Sequence, residues 1–170
     1  MPNRLDSIIS KAKGAVKGVE ARREGLVGVF ATLARQHGEV ASLIERCKRD
    51  ASKRDGLWPK IRTALLAHER AEMRELYPVL RSAPLTHDLA EHHDHDANRL
   101  ETLIDRLDSI ELASTTWGEV FEQLSTAVLR HAHEEEQQIF PVAQEAIGTE
   151  RADELDAKFA AEHKRLMHSA

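Results

Sequence analysis

The chain has 170 residues, a formal net charge of −5 and 31% charged residues, a length that suits one domain with one sizeable core and no need of disulfide or metal staples. Its lone cysteine, Cys47, excludes an intrachain disulfide, and no apolar run approaches the roughly 20 residues that span a bilayer. The acidic balance argues against a nucleic-acid partner, whose phosphates require a basic surface, and a cytoplasmic protein without a transmembrane segment is the expectation.

Gly and Pro are scarce and Ala, Leu, Glu and Arg dominate, so the chain is expected to be all-α. The first helical segment covers about residues 4–18. Residues 1–23 hold six Lys or Arg against two acidic residues, with Leu5, Ile8, Ile9, Ala12, Val16 and Val19 at helical spacing. This amphipathic helix, residues 1–20, is expected to pack along the rest of the protein or against a partner subunit, as in a homodimer; an anionic membrane surface is the sharper alternative. Lys11, Lys13 and Lys17 interrupt its apolar stretch, so it does not read as a secretion signal.

Four main segments follow, at about 22–53, 58–81, 86–110 and 115–146, with a last helix at about 149–168. Asp55-Gly56 with Pro59, Ser82-Ala83-Pro84, Ser114-Thr115-Thr116 and Gly148-Thr149 punctuate them. Thr116 with Glu119 reads as a capping box. Short links between long helices imply antiparallel neighbours, hence an up-and-down four-helix bundle over residues 21–148, with additional N-terminal and C-terminal helices, the latter at 149–170.

Histidines fall on the apolar faces. His37 is in phase with Phe30, Leu33, Val40, Ala41 and Ile44 on the first main helix. On the second, His68 and Glu72 share a face with Ile61, Leu65 and Leu76, and on the fourth His131 and Glu135 stand beside Leu124 and Val128. "HERAEMRELYP" at 68–78 and "HAHEEEQQIFP" at 131–141 are one pattern twice: a His, a Glu four residues on, an aromatic at plus nine and a Pro at plus ten. A lone His–Glu pair at this spacing is usually a solvated helix pair. Three helices turning imidazole or carboxylate inward are different, because buried charges must pair with one another or with a metal. Carboxylates with imidazoles in a bundle core suit iron or manganese, each Glu able to bridge two ions. No Glu-x-x-His, His-Glu-x-x-His or Cys-x-x-Cys is present, which disfavours the ferritin-like di-metal pattern, a zinc protease and a structural zinc site.

His37, the two repeated stretches and a His near the start of the third helix resemble the hemerythrin-like, HHE cation-binding family over about residues 25–146. The resemblance implies a four-helix bundle holding an oxo- or hydroxo-bridged, non-haem pair of iron ions that reacts with dioxygen. It implies His37, His68 and His131 as terminal imidazole ligands and Glu72 and Glu135 as bridging carboxylates. In "EHHDHDANRLETLIDRL", Ala97, Leu100, Ile104 and Leu107 set the inward face; His93 is in phase with them, His92 lies about 100° away and His95 is out of phase. His93 is therefore the expected ligand.

Oxygen carriers of that family place a second His one turn beyond, where this chain has Ala97, and set the fourth helix's carboxylate five residues after the His. That spacing would select Glu136; the internal repeat selects Glu135. With one imidazole missing, Glu69 or Glu136 could supply a further ligand, and stable oxygen carriage gives way to redox reactivity, sensing or iron storage. The expected function is a binding or sensing protein for dioxygen, nitric oxide or peroxide, with a di-iron oxidase or peroxidase-type enzyme as the alternative. Leu155, Phe159, His163 and Leu166 form one stripe of the last helix, which reads as a packing helix, and His133 and His163 are assigned no role.

Overall fold

The computed structural model describes residues 25–169, which are helical almost throughout and form the expected all-α bundle with an extra C-terminal helix. The segment expected at about 4–18 lies outside the described residues. The main helices are α1 (Gly28–Arg49), α2 (Arg54–Glu75) with its one-turn continuation α3 (Tyr77–Ser82), α4 (His87–Asp108), and α5 (Thr115–Glu134), which runs through a π turn (Glu135–Ile139) into α6 (Phe140–Ile147). The C-terminal helix is α7 (Thr149–Ser169). None of the described helices is long and apolar enough to cross a membrane.

Two boundaries differ from the sequence reading. Asp55, Gly56 and Pro59 do not separate α1 from α2; they lie inside α2, and the link is the 3₁₀ turn Ala51–Lys53. Asp50 caps that turn, its Oδ1 accepting from the Ser52 N–H (3.1 Å) and the Ser52 hydroxyl (2.6 Å). Pro59 is tolerated so near the helix start because it removes a single backbone bond there. The cap of α5 is Ser114, not Thr116: its Oγ accepts from the Trp117 N–H at 3.1 Å, the N3 donor that an N-cap side chain satisfies.

The apolar residues fall into two clusters, and their membership gives the topology. One joins the start of α1 (Val29, Phe30, Leu33) to the end of α2 and α3 (Ala71, Leu76, Tyr77, Leu80), the start of α4 (Ala90), α6 (Phe140) and α7 (Leu155, Phe159). The other joins the end of α1 (Ile44, Cys47) to the start of α2 (Trp58, Ile61, Leu65), the end of α4 (Leu100, Ile104, Leu107) and the start of α5 (Trp117, Phe121, Leu124). Helices that meet start to end run antiparallel. Each large side chain buried in this way contributes roughly 1.5–3 kcal/mol, and between the clusters lies a layer that is not apolar.

α7 packs across α1 and α2. Gly28, at φ +55°, sits so close to α7 that a Cβ there would lie 2.5 Å from the backbone carbon and oxygen of Ala152. Gln144 of α6 ties down the chain before α1, its Oε1 accepting from the Val27 N–H (2.7 Å) and its Nε2 donating to the Gly25 carbonyl (2.6 Å).

Candidate metal centre

The polar layer occupies the joint between the two apolar clusters, one station on each main helix. α1 brings His37, α2 brings His68, Glu69 and Glu72, α4 brings His93, and α5 with its π turn brings His131, Glu135 and Glu136; all are buried. The six residues singled out from sequence are thus brought together, with both open candidates, Glu69 and Glu136, beside them. On α4 the helical phase decides as expected: His93 is interior, His92 is exposed and Ala97 is buried without a polar group.

Seven of these side chains form two groups, each able to hold one ion. The ligand atoms of His37, His68 and Glu135 lie within 4.8 Å of one another, and so do those of Glu69, Glu72, His93 and His131. The groups are exchanged relative to the repeat: Glu135 joins the His of the first copy, and Glu72 joins the His of the second. Contacts within each copy remain close, with His68 Nε2 to Glu72 Oε2 at 3.2 Å and His131 Nε2 to Glu135 Oε2 at 3.6 Å. Each repeated Glu therefore faces both groups. Glu69 lies beside the imidazoles of its group, its Oε1 3.3 Å and its Oε2 3.9 Å from the Nε2 atoms of His131 and His93. Glu136 takes a different part, its Oε1 accepting from His37 Nδ1–H at 2.9 Å.

The hydrogen bonds on the outer nitrogens decide what the inner ones present. His37 Nδ1–H donates to Glu136, and His68 Nδ1–H donates to Gln36 Oε1 at 2.8 Å. The two Nε2 atoms, which face inward, are only 3.1 Å apart, and His37 Nε2 is also 3.2 Å from Glu135 Oε2. Two Nε2 lone pairs so placed would repel, so a proton or a metal ion must lie between them; burial opposes a proton on His37, but Glu135 and Glu136 outweigh burial and raise its pKa. The second group carries the same demand as unpartnered atoms: Glu69 Oε2, both oxygens of Glu72, both nitrogens of His93 and His131 Nε2 are buried without a hydrogen-bond partner. Buried polar atoms left so cost about 1–3 kcal/mol each, more when charged. This donor set of imidazole nitrogens and carboxylate oxygens fits first-row metal ions such as iron or manganese.

The protein's own charges respond as such crowding requires. Burial, then repulsion from Glu135 and Glu69, raises the Glu72 pKa well above the carboxylate range. Glu135 is held well below it: burial opposes this, but His131, His37 and His93 outweigh burial. Burial also opposes protonation of His131, yet Glu135 and Glu69 push its pKa up to about 10. His68 goes the other way, to about 3, through burial and then the neighbouring charge of His37. Pulling adjacent groups apart in this manner is usual at functional sites.

Two aromatic residues close the layer, and the sequence marked them only as the plus-nine positions of the repeat. The Tyr77 ring stacks on His93 (centroids 3.6 Å apart), and its O–H donates to Glu135 Oε1 at 2.8 Å. Phe140 lies parallel to His37 at 6.0 Å. Gln36 was missed; its signal is its place directly before His37, where a helix aims it at the neighbouring helix.

The sequence model of the hemerythrin HHE cation binding domain matches residues 28–143. No curated protein matches the chain at a significant level, and neither does a solved structure.

Proposed function

The chain belongs to the hemerythrin HHE cation-binding family, and from that premise we propose that it is a non-haem di-iron protein which binds or senses dioxygen, nitric oxide or peroxide. The observation that carries the proposal is the close approach of the Nε2 atoms of His37 and His68, 3.1 Å apart, beside the unpartnered oxygens of Glu72. One ion would be held by His37, His68 and Glu135, the other by Glu69, Glu72, His93 and His131, with Glu72 and Glu135 able to bridge. An oxo- or hydroxo-bridged iron pair would supply one-electron chemistry toward small oxidants.

The residues around it do the rest. Glu136 and Gln36 orient two imidazoles by accepting hydrogen bonds from their Nδ1–H groups, the kind of outer hydrogen bond that fixes a ligand's tautomer. Against the effect of burial, Glu135 and Glu136 together also raise the basicity of His37. Tyr77 holds a proton at its hydroxyl against Glu135 and prevents that carboxylate from turning. The apolar clusters on both sides keep bulk water away. The His37 group has three donors against four in the other, so an ion held there would keep more coordination positions free for a small outside ligand.

A di-iron oxidase or peroxidase is the second reading, favoured by the Tyr77 phenol at hydrogen-bond distance from a ligand. Purified, iron-loaded protein should contain about two irons per chain and show near-ultraviolet oxo-to-iron absorption, the count following from two bridging carboxylates. One iron, or tight zinc alone, contradicts the dinuclear reading. Many peroxide turnovers per site would move the assignment to the enzyme.

A further inference from the structure

We propose that His92, Asp96 and Glu134 form a surface uptake site at which a divalent cation docks before passing into the buried centre, an inference that rests on the dinuclear reading above. His92 and Asp96 are one turn apart on α4, and Glu134 ends α5 beside them; their imidazole and carboxylate ligand atoms lie within 4.8 Å of one another. Residues one apart on a helix point about 100° apart. Since His93 and Glu135 face the interior, His92 and Glu134 flank them on the outside of the same two helices.

Exposure falls inward along this group. His92 is exposed, while the Asp96 side chain is only 13% accessible. Asp96 is near enough for its charge to favour the protonated ring of His131, a member of the four-donor group. Asp96 stands three residues after His93 on α4, and Glu134 three residues after His131 at the end of α5, so the surface group sits on the same helical turns as two members of the four-donor group. The opposite side is shut, for α7 covers α1 and α2 there and Phe159 stands 6.2 Å from His68, ring to ring.

Arg130 now neutralises the two carboxylates. Its Nη2 is 3.4 Å from Asp96 Oδ1 and its Nε 3.6 Å from Glu134 Oε1, with about half of the side chain exposed. Exposed pairs of such length hold weakly. A groove of about 450 Å³ lined by Arg99, Gln123, Thr126 and Arg130 itself gives the guanidinium room to leave. An ion with one imidazole and two carboxylates, otherwise open to water, would be of the intermediate class that takes iron(II), manganese(II) or zinc. Set in water at the surface, these donors hold an ion less firmly than the buried groups do, as a transfer station requires.

The test combines equilibrium and rate. Iron-loaded native protein, titrated with manganese(II) and followed by the electron paramagnetic resonance of the free ion, should bind one further ion per chain. Asp96→Asn and His92→Ala should lose it. Metal-free full-length chain given iron(II) without oxygen, with unbound iron trapped by a chelator at intervals, should fill to two irons in native protein and in both variants, about tenfold more slowly in the variants. Equal manganese binding in native protein and Asp96→Asn overturns the site, and equal filling rates overturn its role in uptake. A final iron count other than two in native protein, seen before any variant is compared, counts instead against the dinuclear reading.

Discussion

In the repeat at 68–78 the helix breaks one turn after Glu72, at Leu76, and resumes at Tyr77. In the repeat at 131–141 it widens into the π turn Glu135–Ile139, where the Phe140 N–H bonds to the Glu135 carbonyl, and then continues. Pro78 and Pro141 pose the same problem, a missing N–H that leaves a carbonyl of the preceding turn without its partner. One copy answers by stopping and the other by adding a residue to the turn. The side chains diverge as well: Glu69 stands against Ala132, Met73 against Glu136, Tyr77 against Phe140. Shared residues build a nearly symmetric frame in which each aromatic faces the imidazole of a neighbouring helix. The unshared ones make the two donor groups unequal, giving one a third carboxylate in reach and the other a carboxylate hydrogen-bond partner for its His.

If the frame is common, removing either shared carboxylate should break it. Glu72→Ala and Glu135→Ala should each abolish stable binding of two ions while circular dichroism still reports a helical fold, because each takes away a proposed bridge and not an apolar contact. Unchanged metal content in both variants would show that the groups do not share carboxylates.

The unshared carboxylates should separate. Glu69→Ala makes the first copy like the second and removes a donor from one group, so about one iron per chain should be lost. Glu136→Gln retains an acceptor for His37 Nδ1–H but removes its charge, and should keep both irons with affinity weakened by no more than the roughly 10–100-fold seen for losses behind the ligands. Metal analysis and competition titration check the two. Equal losses would mean that Glu136 binds metal directly.

The bundle and its shared inward-facing His and Glu residues are legible in the sequence because both rest on periodicity. Helical phase picks His93 over His92 on α4, and the repeat picks Glu135 over Glu136, and in both cases the chosen residue is the one that faces the cluster. What periodicity cannot supply is contact between helices. Glu69 and Glu136 stand as equal candidates for one extra ligand when only the chain is read; the structure parts them, because Glu69 crosses to His131 and Glu136 to His37 Nδ1. Tyr77 is invisible for a related reason. Its pattern marks an aromatic, and nothing local says that its hydroxyl reaches Glu135, 58 residues away. The link before α2 is misread because an Asp-Gly pair is a strong turn signal that a helix can absorb near its start.

Proton balance sharpens the comparison further. His131, with its pKa near 10, holds a proton at neutral pH that a metal must displace, and Glu72, raised well above its usual range, holds its proton to a higher pH than a free carboxyl does. Ion uptake at pH 7 should therefore release protons, measurable by calorimetry in buffers of different ionisation enthalpy, and affinity should fall as pH is lowered. The metal-free fold follows the same protons. A His whose folded pKa exceeds its unfolded value of about 6.5 stabilises fully below that value and loses its contribution as pH rises toward 10. Glu72 acts in the same direction, since its folded form also holds a proton that the unfolded chain gives up. Denaturant midpoints of metal-free protein should fall between pH 7 and 9.5, and those of loaded protein should not.

The smallest expected effect belongs to Tyr77→Phe, which turns the first copy's aromatic into that of the second. The ring stack on His93 remains, so the fold and the iron count should be unchanged. The lost hydroxyl frees Glu135 Oε1, which also lies 3.0 Å from His93 Nε2, to turn toward that imidazole and away from the His37 group. Affinity for the ion held by His37, His68 and Glu135 should fall about tenfold, the lower end of what is lost when a group behind a ligand is removed, while the four-donor group keeps its own. Sequential filling followed by competition titration distinguishes the two positions. If both weaken equally, the phenol acts on the bundle as a whole and not through Glu135. If neither changes, the ring of Tyr77 is sufficient and its hydroxyl has no part in holding the site.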